Sequence, residues 1–286
     1  MTRPRETVPG STAPTTVQTL HGPQLSISVQ PERGGKITSL RDAHGTEWLT
    51  LAADRDVPDG AAFGEAEMAG WDECAPTIGA CSLRGRRLPD HGDLWNRPFS
   101  GTADDLTVLG SSWPYRFGRR IRAVHGGWRL DYRARASGAS PIPFLWAAHP
   151  QFRAPAGTRV ELDGSPTVVD VLDRRRPQHR WQASDGSLAA LPDGGCRKLY
   201  VHPDQRVHEA RLLRPDIPGL RLRWSSSIPY LGLWFDNGAW AREPVIAVEP
   251  ALAYADSLAD AVAAGAFAQL HPDRDLHWWI ELSTLS

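Results

Sequence analysis

Apolar and polar residues alternate in short runs along most of this 286-residue chain. Leu25-Ser26-Ile27-Ser28-Val29 has a period of two, which puts successive side chains on opposite faces of a strand. Pro31-Glu32-Arg33-Gly34-Gly35 reads as a turn and Lys36-Ile37-Thr38-Ser39-Leu40 as a second strand. Asp42-Ala43-His44-Gly45 is another turn, and Thr46-Glu47-Trp48-Leu49 a third strand. Residues 119–124 and 128–134 flank His125-Gly126-Gly127, a hairpin signal. The same alternation returns over 158–162, 220–224 and 277–282. Helical text is confined to 256 to about 264, opened by a capping Asp or Ser and closed at Gly265. Many short strands, one short helix, 26 Gly and 24 Pro predict an all-β chain, a large antiparallel β-sandwich with very little helix. Residues 1–17, rich in Pro, Thr and Ser, are expected to form a flexible leader. Residues 18–286 show no break or repeat and are expected to form a single domain.

Composition narrows the possible partners. The chain is 41% hydrophobic and 23% charged, in keeping with a packed core. A net charge of −1 gives no global attraction to nucleic acid or an anionic membrane. No apolar run reaches the roughly 18 residues of a membrane helix, and the first ten residues lack the apolar core of a secretory signal. A cytoplasmic protein, monomer or homodimer, is expected. Of 32 basic residues only Lys36 and Lys198 are lysine, an arginine excess read as codon bias and not as an anion site. Cys74, Cys81 and Cys196 form no C-x-x-C pair. His202 and His208, like His271 and His277, are six apart, a spacing that places no two ligands on one face. Neither a metal nor a cofactor is expected.

Three separated segments carry candidate chemistry. His91 lies in Pro89-Asp90-His91-Gly92-Asp93, a tight turn beside Trp95. A loop histidine so placed is a site candidate or a solvated residue partnered by an aspartate. His149 ends the apolar run Phe144-Leu145-Trp146-Ala147-Ala148, and Pro150 after it should end the ladder locally and open the strand end to a ligand. The alternative is a buried histidine bonded to a carbonyl. Glu249 follows Pro244-Val245-Ile246-Ala247-Val248, so its carboxylate is expected to be part-buried and in need of donors, a partner or a shifted pKa. That makes it a general-base candidate, unless it is only a strand-end glutamate paired with an arginine. Twelve tryptophans include Trp71, Trp95, Trp146 and Trp234 near these segments, and Trp71-Asp72-Glu73 joins an aromatic to two acids. Such groups suit a sugar, whose C–H faces stack on indole while its hydroxyls seek fixed polar partners.

Together these segments resemble the aldose 1-epimerase (galactose mutarotase-like) family, over roughly residues 25 to 285. The resemblance rests on Pro89-Asp90-His91-Gly92, on His149-Pro150 followed by Phe152, and on Glu249-Pro250 followed by Asp256-Ser257-Leu258. It implies the galactose mutarotase-like supersandwich and α/β anomer exchange of an aldohexose. Glu249 would be the base and His149 the acid at the ring oxygen, with His91 hydrogen-bonding near it. Which histidine protonates that oxygen is left open by spacing alone. Asp72, Glu73, Asp90, Trp95, Phe152 and Trp234 are the expected sugar contacts. Leu88 and Trp146 stand where the galactose-specific branch has Asn three residues before each histidine, and Pro250 follows the glutamate, so galactose is not the implied substrate. The sugar is free or anionic; Arg33, Arg84, Arg86, Arg87, Arg97 and Arg153 are candidate anion contacts. Two rival readings remain. One is a non-catalytic carbohydrate-binding sandwich. The other is a hydrolase or lyase that pairs Asp72 or Glu73 with Glu249.

Overall fold

The computed structural model describes residues 16–51, 62–64 and 68–285. Residues 1–15 of the expected leader lie outside the described residues. Two antiparallel sheets hold most of the strands. The ten-stranded sheet runs in the order Gln18–His21, Leu25–Gln30, Lys36–Asp42, Trp71–Cys74, Ala147–Arg153, Val245–Ala251, Tyr230–Asp236, Cys196–Val201, Thr167–Asp170, Gln178–Arg180. The eight-stranded sheet runs Arg159–Leu162, Glu209–Leu213, Leu220–Trp224, Leu276–Thr284, Gly127–Ala136, Tyr115–Val124, Asp105–Leu109, Ser100–Thr102. The predicted hairpin forms with ten residues in each arm.

Period-two alternation sets the faces. Leu25, Ile27 and Val29 from one sheet, and Leu130, Tyr132, Trp278, Ile280 and Leu282 from the other, are buried in one cluster. A fully buried Leu or Ile contributes roughly 1.5–3 kcal/mol, and a one-residue slip would turn the whole set outward, so the pattern fixes register. The expected helix is Leu258–Ala263, capped by Ser257, whose hydroxyl accepts from the Asp260 N–H at 3.1 Å. Residues 46–49 differ from expectation, forming only isolated bridges from Glu47 and Leu49. The Glu47 carboxylate accepts from the Leu40 and Leu49 amides at 2.9 and 3.1 Å, in place of a regular ladder.

Two features of the middle of the larger sheet matter below. Arg119 of the opposite sheet reaches Glu73 at 2.9 Å, with both side chains fully buried. Trp146 Nε1 and the Tyr132 hydroxyl also donate to this carboxylate, at 2.9 and 3.2 Å. The second feature is a gap. Strands Ala147–Arg153 and Val245–Ala251 register at Ala147↔Ala251 and Gln151↔Ala247, with no recorded pairing between. Pro150 and Pro250, which have no N–H to give, occupy that interval.

Candidate active site

Register brings distant residues into one row. Ile37 pairs with Trp71, which sets Lys36 beside Asp72. Asp72 pairs with His149, Glu249 with Gly232, and Gly232 with Tyr200. His149 and Glu249 meet across the gap at the two prolines, at 3.7 Å from Nε2 to Oε1. Paired residues in an antiparallel sheet share a face, so this row crosses the central strands on the side away from the core. The intervening positions Ala148, Phe152, Val248, Ile246, Leu233 and Phe235 all join the core.

Glu249 is nearly fully buried. Its Oε2 lies 2.5 Å from Lys198 Nζ, whereas Oε1 has no hydrogen bond. Burial raises its pKa above the usual value, and the Lys198 charge and hydrogen bond oppose that rise. Lys198 also reaches Asp256 at 3.3 Å, and the Tyr200 hydroxyl donates to Asp256 at 2.7 Å. Burial holds the His149 imidazole well below its usual pKa, and repulsion from His91, Lys198 and Lys36 adds to this. The same burial favours the neutral form of the ring over the imidazolium.

His91 arrives from a loop pinned by its own backbone. Both His91 (φ 55°) and Gly92 (φ 74°) are left-handed, a conformation that costs a non-glycine residue about 1–3 kcal/mol. A Cβ on Gly92 would stand 1.9 Å from the Ala75 carbonyl oxygen, so only glycine fits. The Asp93 amide donates to that carbonyl at 2.8 Å. The Asp93 carboxylate accepts from the Tyr115 hydroxyl at 2.6 Å and from the Ser111 and Ser112 amides at 2.7 and 2.5 Å. This anchorage sets the His91 ring 5.4 Å from that of His149, with Asp90 2.7 Å from His91 Nδ1. Phe63 stacks on His91 at 3.7 Å and meets Trp95 at right angles at 5.2 Å.

Among the described residues, six of the fourteen buried side-chain polar atoms without a hydrogen-bond partner belong to this face of the sheet. They are Asp72 Oδ1, His149 Nδ1, both amide atoms of Gln151, Trp234 Nε1 and Glu249 Oε1. Buried polar atoms are nearly always bonded. Their concentration on one face suits a ligand rich in hydroxyls.

Not every residue expected at the site is there. Glu73 and Phe152 project through the opposite face, Glu73 onto Arg119 and Phe152 into the core. Asp72 is on the site face, but its Oδ2 is held by Lys36 at 2.8 Å. Asp90 serves His91, Trp95 packs edge-on against Phe63, and Trp234 is half-buried two residues from Gly232. No cluster of three or more His, Cys, Asp or Glu among the described residues is arranged to hold a metal ion. No described helix is long and apolar enough to cross a membrane.

Neither a protein-family model nor a curated protein matches the chain in sequence. Solved structures do match in shape. The Slr1438 protein from Synechocystis sp. PCC 6803 superposes with a TM-score of 0.76 at 17% identity, over 98% of this chain and 99% of its own. A galactose mutarotase-like protein from Lactobacillus casei gives 0.71 at 17%, over 94% and 100%. A galactose mutarotase related enzyme from Lactobacillus acidophilus gives 0.68 at 13%, over 95% and 98%. The chain has the galactose mutarotase-like fold. Within this mutarotase-like fold, sequence reasoning missed Phe63, Gln151, Tyr200 and the two lysines as members of the site. The lysines carried a signal, being the only two in an arginine-rich chain. Gln151 carried one as well, lying two residues from His149 on the same strand and hence on the same face.

Proposed function

We propose that this protein is an aldose 1-epimerase that interconverts the α and β anomers of an aldohexose. The observation that carries the reading is the buried pair of Glu249 Oε1 and His149 Nε2, 3.7 Å apart, on a face lined with unpartnered polar atoms. The unbonded Oε1 takes the proton of the C1 hydroxyl. The O1 lone pair closes to a carbonyl as the C1–O5 bond breaks, and its electron pair leaves on O5, which takes a proton from the imidazolium form of His149. After rotation about C1–C2 the same steps run backward on the other face. General acid–base catalysis of this kind contributes typically about 10² to 10⁴-fold. His91, held by Asp90, donates to O5 or a neighbouring hydroxyl. Trp234, half-buried on the same face, offers apolar surface to the C–H faces of the sugar.

Charge supports a neutral sugar. Lys36 is matched by Asp72, and Lys198 by Glu249 and Asp256, so neither ammonium is left for a phosphate or sulfonate. Anomer exchange measured by two-dimensional NMR tests the reading on neutral aldoses, hexose 6-phosphates and sulfoquinovose. Exchange of a neutral aldose, lost in Glu249→Gln and His149→Asn with the fold intact, is expected. A fully active Glu249→Gln, or sugar binding with no acceleration of exchange by wild type, would refute it.

A further inference from the structure

The only two lysines of the chain are both buried on the face of the sheet that carries the site, Lys36 in the row itself and Lys198 in the neighbouring row, paired with Trp234. Arginine elsewhere carries 30 of the 32 basic positions, so these two places call for a compact ammonium. Lys198 stands on Cys196–Val201, third from the end of the ten-stranded sheet, and touches both Glu249 Oε2 and Asp256. Room for this arrangement comes from Gly232, where an added Cβ would lie 3.1 Å from Glu249 Oε2 and 3.5 Å from the Tyr200 ring.

Building on the anomer-exchange reading, the geometry points to Lys198 as a positioning residue that holds Glu249 by Oε2 and leaves Oε1 as the proton-accepting oxygen. A carboxylate with both oxygens free could rotate and offer either one. Here one oxygen is clamped, and the other is turned to His149. The same contact keeps the carboxylate ionised. Burial favours the neutral acid, and the groups around Glu249 differ in sign: Lys198 beside Tyr200 on one strand, His149 and Cys74 on others, His91 on its loop, and Asp256 beyond the strand end. Lys198 is the cation in direct contact. It does not act as an amine: although burial opposes its charge, Asp256 and Glu249 hold its pKa above the usual value, so it stays an ammonium and forms no imine with the open-chain aldehyde. Asp256, kept ionised by Lys198 and Tyr200 against its burial, fixes the ammonium from the other side.

The test is the pH profile of kcat/KM for exchange in wild type, Lys198→Met and Lys198→Arg. An opposite charge this close lowers a carboxyl pKa by about 1–3 units. Its loss in Lys198→Met should therefore move the acid limb up by a similar amount with KM little changed, costing about tenfold per unit below the limb. Lys198→Arg restores the charge and should return the limb while kcat stays low, because a planar fork cannot sit where an ammonium does. A raised KM with an unmoved limb would make Lys198 a sugar contact and overturn the proposal. Equal loss in both variants with the limb unmoved would also overturn it. A readout without turnover is the carbon-13 shift of the Glu249 carboxyl, assigned by its disappearance in Glu249→Gln. It should report a carboxylate at pH 7 in wild type and a higher titration in Lys198→Met. A protonated Glu249 at pH 7 in wild type overturns the proposal even if Lys198→Met does not fold. Absence of exchange in all proteins refutes the enzyme reading and leaves the titration to decide the role of Lys198.

Discussion

Glu73→Gln removes one charge from the buried ion pair between the two sheets and leaves Arg119 without its counter-ion. The single amide oxygen of Gln can replace either Oε1, the acceptor of Arg119 and Tyr132, or Oε2, the acceptor of Trp146, but not both. Breaking a buried pair by removing one partner costs about 3–5 kcal/mol, because the remaining charge stays in a low-dielectric site. Each kcal/mol lowers Tm by roughly 2–4 °C in chains of about this size, so a fall of roughly 6–20 °C is expected. Thermal unfolding followed by circular dichroism measures it, with Glu73→Leu/Arg119→Met as the companion variant. Removing both charges together is often close to neutral, so the double variant should recover most of the loss. Anomer exchange at a temperature where Glu73→Gln is folded should match wild type. A Tm within a degree of wild type would refute the structural role assigned to Glu73. Normal stability with lost sugar binding would return Glu73 to the site.

Two further predictions concern the site itself. If Glu249 must be ionised and His149 protonated in the free enzyme, kcat/KM rises with pH through a Glu249 pKa above the usual 4.5. It then falls with pH through a His149 pKa below the usual 6.5. The maximum should lie between those values; a profile flat from about pH 6 to 8 would remove His149 as the acid. Gly232→Ala places a methyl 3.1 Å from Glu249 Oε2. It should lower kcat by about 10- to 100-fold with little change in Tm, since small displacements of a reacting group are costly. Unchanged kcat would show that the carboxylate tolerates the displacement.

The strands, the hairpin and the short capped helix were legible because each follows local rules of period and capping. The core followed from the same alternation. The site was legible in part. Glu249 after five apolar residues and His149 before a proline are local patterns that mark a buried polar group on a strand. Asp72 and Glu73 show where local reading stops. Adjacent residues on a strand face opposite ways, so only one of the two could reach the site. Which acid turned inward depended on Arg119, 46 residues away in the chain and on the other sheet. The rarity of lysine marked Lys198, but its role was hidden for the same reason: it comes from partners 51 and 58 positions on.

The paired prolines carry a consequence for mechanical behaviour. A hydrogen-bonded ladder behaves as a stiff plate, and the interval at Pro150 and Pro250 is a slit cut into its centre. The Pro150 and Pro250 nitrogens have no hydrogen to donate across it, so small adjustments there meet less resistance than elsewhere in the ladder, while the flanking pairs at Ala147 and Gln151 keep their register. Amide exchange should show this as well, with slow protection at Gln151 and Ala247 and no cooperative loss of it when a sugar binds. Substituting either proline with a residue that bears an N–H would restore a donor to the ladder, and the two strands should gain rigidity between His149 and Glu249.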